Sequence, residues 1–283
     1  MQSDPNTTNP AYDPVTARQT PAADFTISQC WDEYTADEHA MWDQLYARQR
    51  EILVDRAAPV FLRGLDRLEL SRSGIPDLKR LNAALFEMTG WTIVMVPHLV
   101  PDDVFFTHLA NRRFPAGRFI RKPAQMDYLQ EPDIFHDIFG HVPMLAHPVF
   151  ADYMQAYGQG GLRALELGQL ANLARLYWYT VEFGLVETPA GTRIYGAGIV
   201  SSASESRYAL ESDTPNRIGF GLERIMRTEY EIDSFQKSYF VIKSYDQLFD
   251  ATQKDFGAIY QRLAEDKAVY RSDQILPTDT QLV

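Results

Sequence analysis

The sequence predicts a mainly α-helical fold with a few short β-strands, built as one domain. Three observations lead there. Apolar residues recur at helical spacing, as in Met41, Trp42, Leu45, Ile52 and Leu53. Compact β-rich runs are confined to "WTIVMV" (91–96) and "SYFVI" (238–242). No linker, internal repeat or low-complexity block divides residues 25–270.

The elements follow in order. Residues 1–24 carry Pro5, Pro10, Pro14 and Pro21 with few large apolar residues, and read as a poorly ordered arm. Thr35 and Glu38 have the spacing of a capping box and open the first long helix. A second helix starts near Pro59, and a third runs over 77–90, stopped by Gly90. After the first strand, "PDD" (101–103) turns the chain into a short helix over 102–110. Residues 114–130 read as loop with one short strand. A helix over 148–157 is expected to break at "GQGG" (158–161), and 165–183 to form the longest buried helix. The small residues of "GAGIVSSASES" (196–206) read as loop. A helix over 245–264 follows the second strand, and 271–283 is a polar tail.

Composition narrows the function. With 45% hydrophobic and 23% charged residues the chain has the balance of an ordinary globular protein. Its net charge of −11 argues against nucleic acid or an anionic membrane surface as the main partner. The single cysteine, Cys30, rules out an intramolecular disulfide and a Cys-based cluster, and fits a reducing cytoplasm. The N-terminus lacks a basic stretch followed by an apolar run, and no apolar run is long enough to span a bilayer. A soluble, cytoplasmic protein is expected.

The stretch "FHDIFGHVPM" (135–144) places His136 and His141 five positions apart. On an ideal α-helix such positions diverge by about 140°. Two histidines that share an ion therefore require the helix to end or distort between them. Pro132 and Asp133 suit a helix start, Gly140 leaves helical geometry cheaply, and Pro143 resists a clean continuation. The expectation is a helix end, with His136 in its last turn and His141 on chain that folds back.

A third ligand is available in "LYWYTVEFGLV" (176–186), where Glu182 sits among Tyr177, Trp178, Val181, Phe183 and Leu185. A carboxylate buried without a partner costs several kcal/mol, on the order of 5. It must reach water, pair with a cation such as Arg175, or protonate. Glu166, Gln169, Arg175 and Glu182 form no continuous polar face, which favours a bound cation. Two histidines and a carboxylate serve Zn²⁺ in hydrolysis, or Fe²⁺ in a facial triad with positions left open for oxygen. The spacing is longer than the His-Glu-x-x-His of zinc peptidases, and Asp137 directly follows the first histidine. That departure favours iron without settling the metal.

At these residues the chain resembles the pterin-dependent aromatic amino-acid hydroxylases, and among them the bacterial branch that acts on phenylalanine. The matching segments are "EPDIFHDIFGHVPML" (131–145), "LYWYTVEFGLVE" (176–187) and "YGAGIVSS" (195–202). The resemblance spans residues 30–260 and implies a single aromatic amino-acid hydroxylase-like catalytic domain over 25–270. It also implies a monooxygenase that converts L-phenylalanine to L-tyrosine, using O2, non-haem Fe(II) and a tetrahydropterin (tetrahydrobiopterin or a bacterial analogue). His136, His141 and Glu182 match the iron ligands. Arg121 matches the arginine that binds the substrate carboxylate, and Asp133 the acid that holds it. Trp178 and Ser201 match the amino-acid pocket, with Tyr128 and Glu205 at its edge. Phe105, the backbone of His98, Leu99 and Val100, and Asp137 fall on the pterin side. Leu129 departs from the threonine of animal members, which shifts carboxylate anchoring to Arg121 and Ser201. Ile232, in "YEIDSF" (230–235), favours phenylalanine over tyrosine or tryptophan. The length, without a regulatory domain or tetramerisation helix, implies a monomer.

Overall fold

The computed structural model describes residues 11–127, 129 and 131–282. Helices dominate, and each long one starts where the sequence supplies a cap. α1 (Pro14–Ala17) is capped by Asp13. α2 (Ala36–Ile52) opens on the expected capping box: Thr35 Oγ1 accepts from Glu38 N at 3.2 Å, and Glu38 Oε2 accepts from Thr35 N at 2.7 Å. α3 (Pro59–Arg67) begins on proline, and α4 (Leu78–Thr89) runs from an Asp77 cap to Gly90 in the left-handed region (φ 74°). Strand β1 (Thr92–Val96), α5 (Asp102–Ala110) and β2 (Arg113–Gly117) follow, with β1 and β2 pairing in parallel.

The histidine segment is a π-helical turn, Phe135–His141, that continues directly into α6 (Val142–Leu145). α7 (Pro148–Glu166) and α8 (Leu170–Tyr177) come next, and α8 runs into a second π-turn, Trp178–Glu182. β3 (Leu185–Thr188) and β4 (Gly191–Ile194) form a hairpin. α9 (Ala197–Val200), α10 (Ala203–Glu211), β5 (Asn216–Gly219) and α11 (Leu222–Met226) lead to β6 (Ser238–Ile242). α12 (Tyr245–Thr252) and α13 (Phe256–Glu265) complete the order. The larger sheet runs β4-β3-β6-β5, with β6 parallel to both β3 and β5.

Several elements differ from the sequence expectation, each for a physical reason. "GQGG" does not break α7, because Gly158 and Gly161 serve contact with α5: an added Cβ would lie 2.4 Å from Ala110 N and 1.9 Å from Phe106 Cδ1, respectively. The span 165–183 is interrupted instead at Gly168 (φ 64°) and ends in the second π-turn. Residues 196–206 hold α9 and the start of α10 rather than loop, the latter capped by Ser202, whose hydroxyl accepts from Glu205 N. The span 245–264 divides where Asp255 caps α13. Residues 11–24, expected within a loose arm, are fastened by Asp13, which pairs with the buried Arg118 at 2.8 Å. The tail docks as well, through Arg224 and Asp279 at 2.9 Å.

The core wraps the first π-turn. Phe135 and Phe139 stack at 4.7 Å, Trp42 of α2 meets Phe135 edge-on at 5.3 Å, and Phe61 of α3 meets Phe139 at 5.8 Å. The outer side of the turn is thereby locked, and its histidines face the other way. Among the described residues no helix is long and apolar enough to cross a membrane.

The α5–α7 contact gives a direct test. Gly158→Ala is expected to lower unfolding free energy by about 2–3 kcal/mol, since its neighbour there is backbone and cannot rotate away. Urea denaturation reads it, and an unchanged midpoint would contradict the close packing.

Candidate metal centre

The awkward five-residue spacing is resolved by the π-turn. Such a turn takes roughly one more residue per revolution than an α-helix, so positions five apart return to nearly the same side. The histidines therefore share a face without the helix ending between them, which corrects the expectation of a helix end. Their Nε2 atoms lie 3.2 Å apart, with the rings at 83°. The second π-turn does the same work for Glu182: Phe183 N donates to Trp178 O, five residues back, at 2.8 Å. Glu182 Oε1 reaches 3.2 Å from His141 Nε2, and Oε2 lies 3.6 Å from His136 Nε2. The three ligating atoms fall within 4.8 Å of one another. Helix α9 presses on this arrangement through Gly196, where an added Cβ would lie 2.4 Å from Glu182 O.

Neighbouring groups fix the donors in the state a metal needs. Ser201 Oγ donates to Ala197 O at 2.7 Å and sits 2.9 Å from His136 Nδ1. With its proton committed to the carbonyl, the hydroxyl accepts from Nδ1–H, which leaves the His136 Nε2 lone pair directed at the site. Burial lowers the His136 pKa to about 4, so the ring is neutral near pH 7. Burial pushes the Glu182 carboxyl up, but His141 and then His136 outweigh it and hold the group below its ordinary value. Two imidazoles and one carboxylate converge on one point, and a cation fits that donor set. Arg175, the alternative partner for Glu182, instead donates to Met226 O at 3.2 Å.

Two cavities meet at this centre, and both are lined by His136 and Glu182. The smaller, about 530 Å³, also holds His98, Leu99, Val100, Phe105, Asp137 and His141. All of these but His141, an expected metal ligand, were expected on the pterin side. Burial raises the Asp137 pKa to about 7, against the pull of Gly117 N, which donates to Oδ2 at 2.7 Å. The larger, about 790 Å³, is lined by Arg121, Leu129, Trp178, Ser201, Glu205 and Gln236. All but Leu129 and Gln236 were expected at the amino-acid site.

Asp133 is fully buried behind Arg121. It accepts from Arg121 Nε (2.8 Å), Nη2 (2.8 Å) and the main-chain N (2.9 Å), and from His136 N at 3.0 Å. Its position suits holding the arginine, not touching a ligand. Tyr128 lies outside the described residues. Glu205 is buried, accepts from the Tyr239 hydroxyl and from Gln236 N (3.3 Å), and has its pKa raised by burial. Gln236 was missed from the sequence. Its Oε1 accepts from Trp178 Nε1 at 2.9 Å, while Tyr230 stacks on the indole at 4.3 Å. The only signal for it was its place beside "YEIDSF".

Comparison with known proteins agrees with this geometry. The model of the biopterin-dependent aromatic amino acid hydroxylases matches residues 22–270. A phenylalanine-4-hydroxylase from Caulobacter vibrioides is 69% identical over 241 residues, covering 85% of this chain and 82% of its own. The Chromobacterium violaceum phenylalanine-4-hydroxylase is 59% identical over 258 residues, covering 91% and 86%. The iron- and phenylalanine-bound crystal structure of the C. violaceum enzyme superposes with a TM-score of 0.91 at 54% identity, covering 99% of this chain and 100% of that one.

Glu182→Gln keeps the side chain's shape and removes its charge. Iron affinity is expected to fall by more than the about 100-fold typical of changes one layer further out. Iron content after dialysis against a competing chelator checks this, and full retention would remove Glu182 from the ligand set.

Proposed function

The chain belongs to the biopterin-dependent aromatic amino acid hydroxylases, and from that membership we propose which residues perform each part of the reaction. The reaction is the hydroxylation of L-phenylalanine to L-tyrosine, with O2 and a tetrahydropterin at a non-haem Fe(II) site. The observation that carries the assignment is the meeting of two separate cavities at His136 and Glu182. A reductant on one side and an aromatic substrate on the other can then act on the same metal face.

His136, His141 and Glu182 hold the iron on one side, which leaves the opposite side open. When bound, Fe(II) and the tetrahydropterin supply oxygen activation and the two electrons that take the second oxygen atom to water. Arg121, braced by Asp133, offers the rest of its guanidinium to the substrate carboxylate in the larger cavity. Trp178, held by Gln236 and Tyr230, walls the aromatic ring of the substrate. Ser201 acts mainly on His136, since both of its hydrogen-bonding roles are already engaged. Glu205 belongs at the edge of the amino-acid site.

In the smaller cavity Phe105 gives a face for the pterin, while His98, Leu99 and Val100 supply backbone groups along its edge. Asp137, whose pKa burial raises, lines this cavity and can hydrogen-bond to a pterin ring nitrogen. The enzyme is read as a cytoplasmic monomer, and the lone Cys30 fits a reducing compartment.

Purified protein with Fe(II), O2, a tetrahydropterin and phenylalanine is expected to yield tyrosine, with slower turnover of tyrosine and tryptophan. No tyrosine under conditions where a known hydroxylase works would overturn the reading. Arg121→Ala is expected to raise the Michaelis constant for phenylalanine at least about tenfold, because a charge-assisted two-point contact is lost. An unchanged constant would take Arg121 out of the pocket.

A further inference from the structure

The chain ahead of residue 22, where the family match begins, contributes to the site. Ala11, Tyr12, Asp13, Thr16 and Ala17 line the smaller cavity together with Phe105 and Asp137. A buried charged pair helps to hold them there, beside the exposed Arg18–Glu33 pair and the Gln19–Ser28 hydrogen bonds. Asp13 Oδ2 accepts from Arg118 Nη1 at 2.8 Å, and the two side chains are only 7% and 1% exposed. The same carboxylate caps α1, accepting from Val15 N at 3.0 Å and from the Thr16 hydroxyl at 2.7 Å.

Arg118 is a hub. Its Nε donates to Gln29 O at 2.7 Å, its guanidinium lies 4.0 Å over the Tyr34 ring, and its carbonyl accepts from the Tyr34 hydroxyl at 2.8 Å. The residue before it, Gly117, lines the same cavity and donates to Asp137 Oδ2 at 2.7 Å. A buried charge left without its partner is penalised, so removing one member of this pair loosens the first described residues from the cavity floor. A loose arm would need no such fixture.

We propose that Tyr12 forms a wall of the reduced-pterin pocket, and that Asp13 and Arg118 are the positioning pair that holds this wall in place. The proposal rests on reading the smaller cavity as the pterin side. An aromatic side chain on that wall adds apolar and stacking area against a flat heteroaromatic ring. Asp13 acts through the backbone it anchors and needs no contact with the cofactor. The amino-acid cavity includes none of residues 11–17 among its lining, so its ligand should not sense the change.

Calorimetric titration of the full chain, loaded with redox-inert Zn(II), separates binding from turnover. The probes are 7,8-dihydrobiopterin and, in a separate series, L-phenylalanine. Tyr12→Ala is expected to weaken dihydrobiopterin binding about fivefold or more, and Tyr12→Phe to keep it within about twofold of wild type. Asp13→Asn should weaken it about tenfold, with phenylalanine binding within about twofold throughout. Dihydrobiopterin binding unchanged in both Tyr12→Ala and Asp13→Asn, or an equal loss for phenylalanine, overturns the proposal. If Asp13→Asn does not fold, the two Tyr12 variants decide alone. A wild-type chain that binds phenylalanine but no dihydrobiopterin overturns the pterin reading of the cavity and this proposal with it. A responsive wild type with indifferent variants removes only the wall.

Discussion

The structure depends on one geometric constraint: three ligating atoms from distant parts of the chain must stay within 4.8 Å. An α-helix cannot satisfy it for residues 136 and 141, because side chains five apart diverge by about 140°. The widened π-turn can, and a second π-turn delivers Glu182 to the same place. π-turns are poor structures on their own terms. Here the outer face of the first is locked by Trp42, Phe61, Phe135 and Phe139. Around the second, α9 packs so closely over Glu182 that Gly196 has no room for a side chain. Core packing thus sustains a backbone geometry whose benefit appears only at the metal.

The same economy joins substrate and metal. Asp133 accepts from the Arg121 guanidinium and from His136 N, so one buried carboxylate sets both the proposed substrate anchor and the first proposed ligand. Losing one partner of such a buried pair typically costs about 3–5 kcal/mol, which makes the joint stiff. Ser201 performs the matching service at the other end of His136, by fixing the protonated ring nitrogen. The two cavities then share one frame, since His136 and Glu182 line both.

Much of this was legible in the sequence, and the failures are informative. The capping box at Thr35 and the strands at 92–96 and 238–242 have strong local signals, and all three formed. Glu182 was legible because an acid in an apolar helix demands a partner. The π-turns were not. Gly140 and Pro143 looked like punctuation, but the helix runs through both, from the π-turn straight into α6. Gly158 and Gly161 were misread in the same way, since their purpose is close approach to α5 and only tertiary structure reveals it. Gln236 and the wall at residues 11–17 come from chain far from the motifs, and no local pattern announces them.

Iron K-edge X-ray absorption on the iron-loaded protein tests the central claim most directly. The expected spectrum has the outer-shell scattering of two imidazoles, and oxygen donors at every other first-shell position. Scattering from a third imidazole, or a sulfur in the first shell, would contradict it.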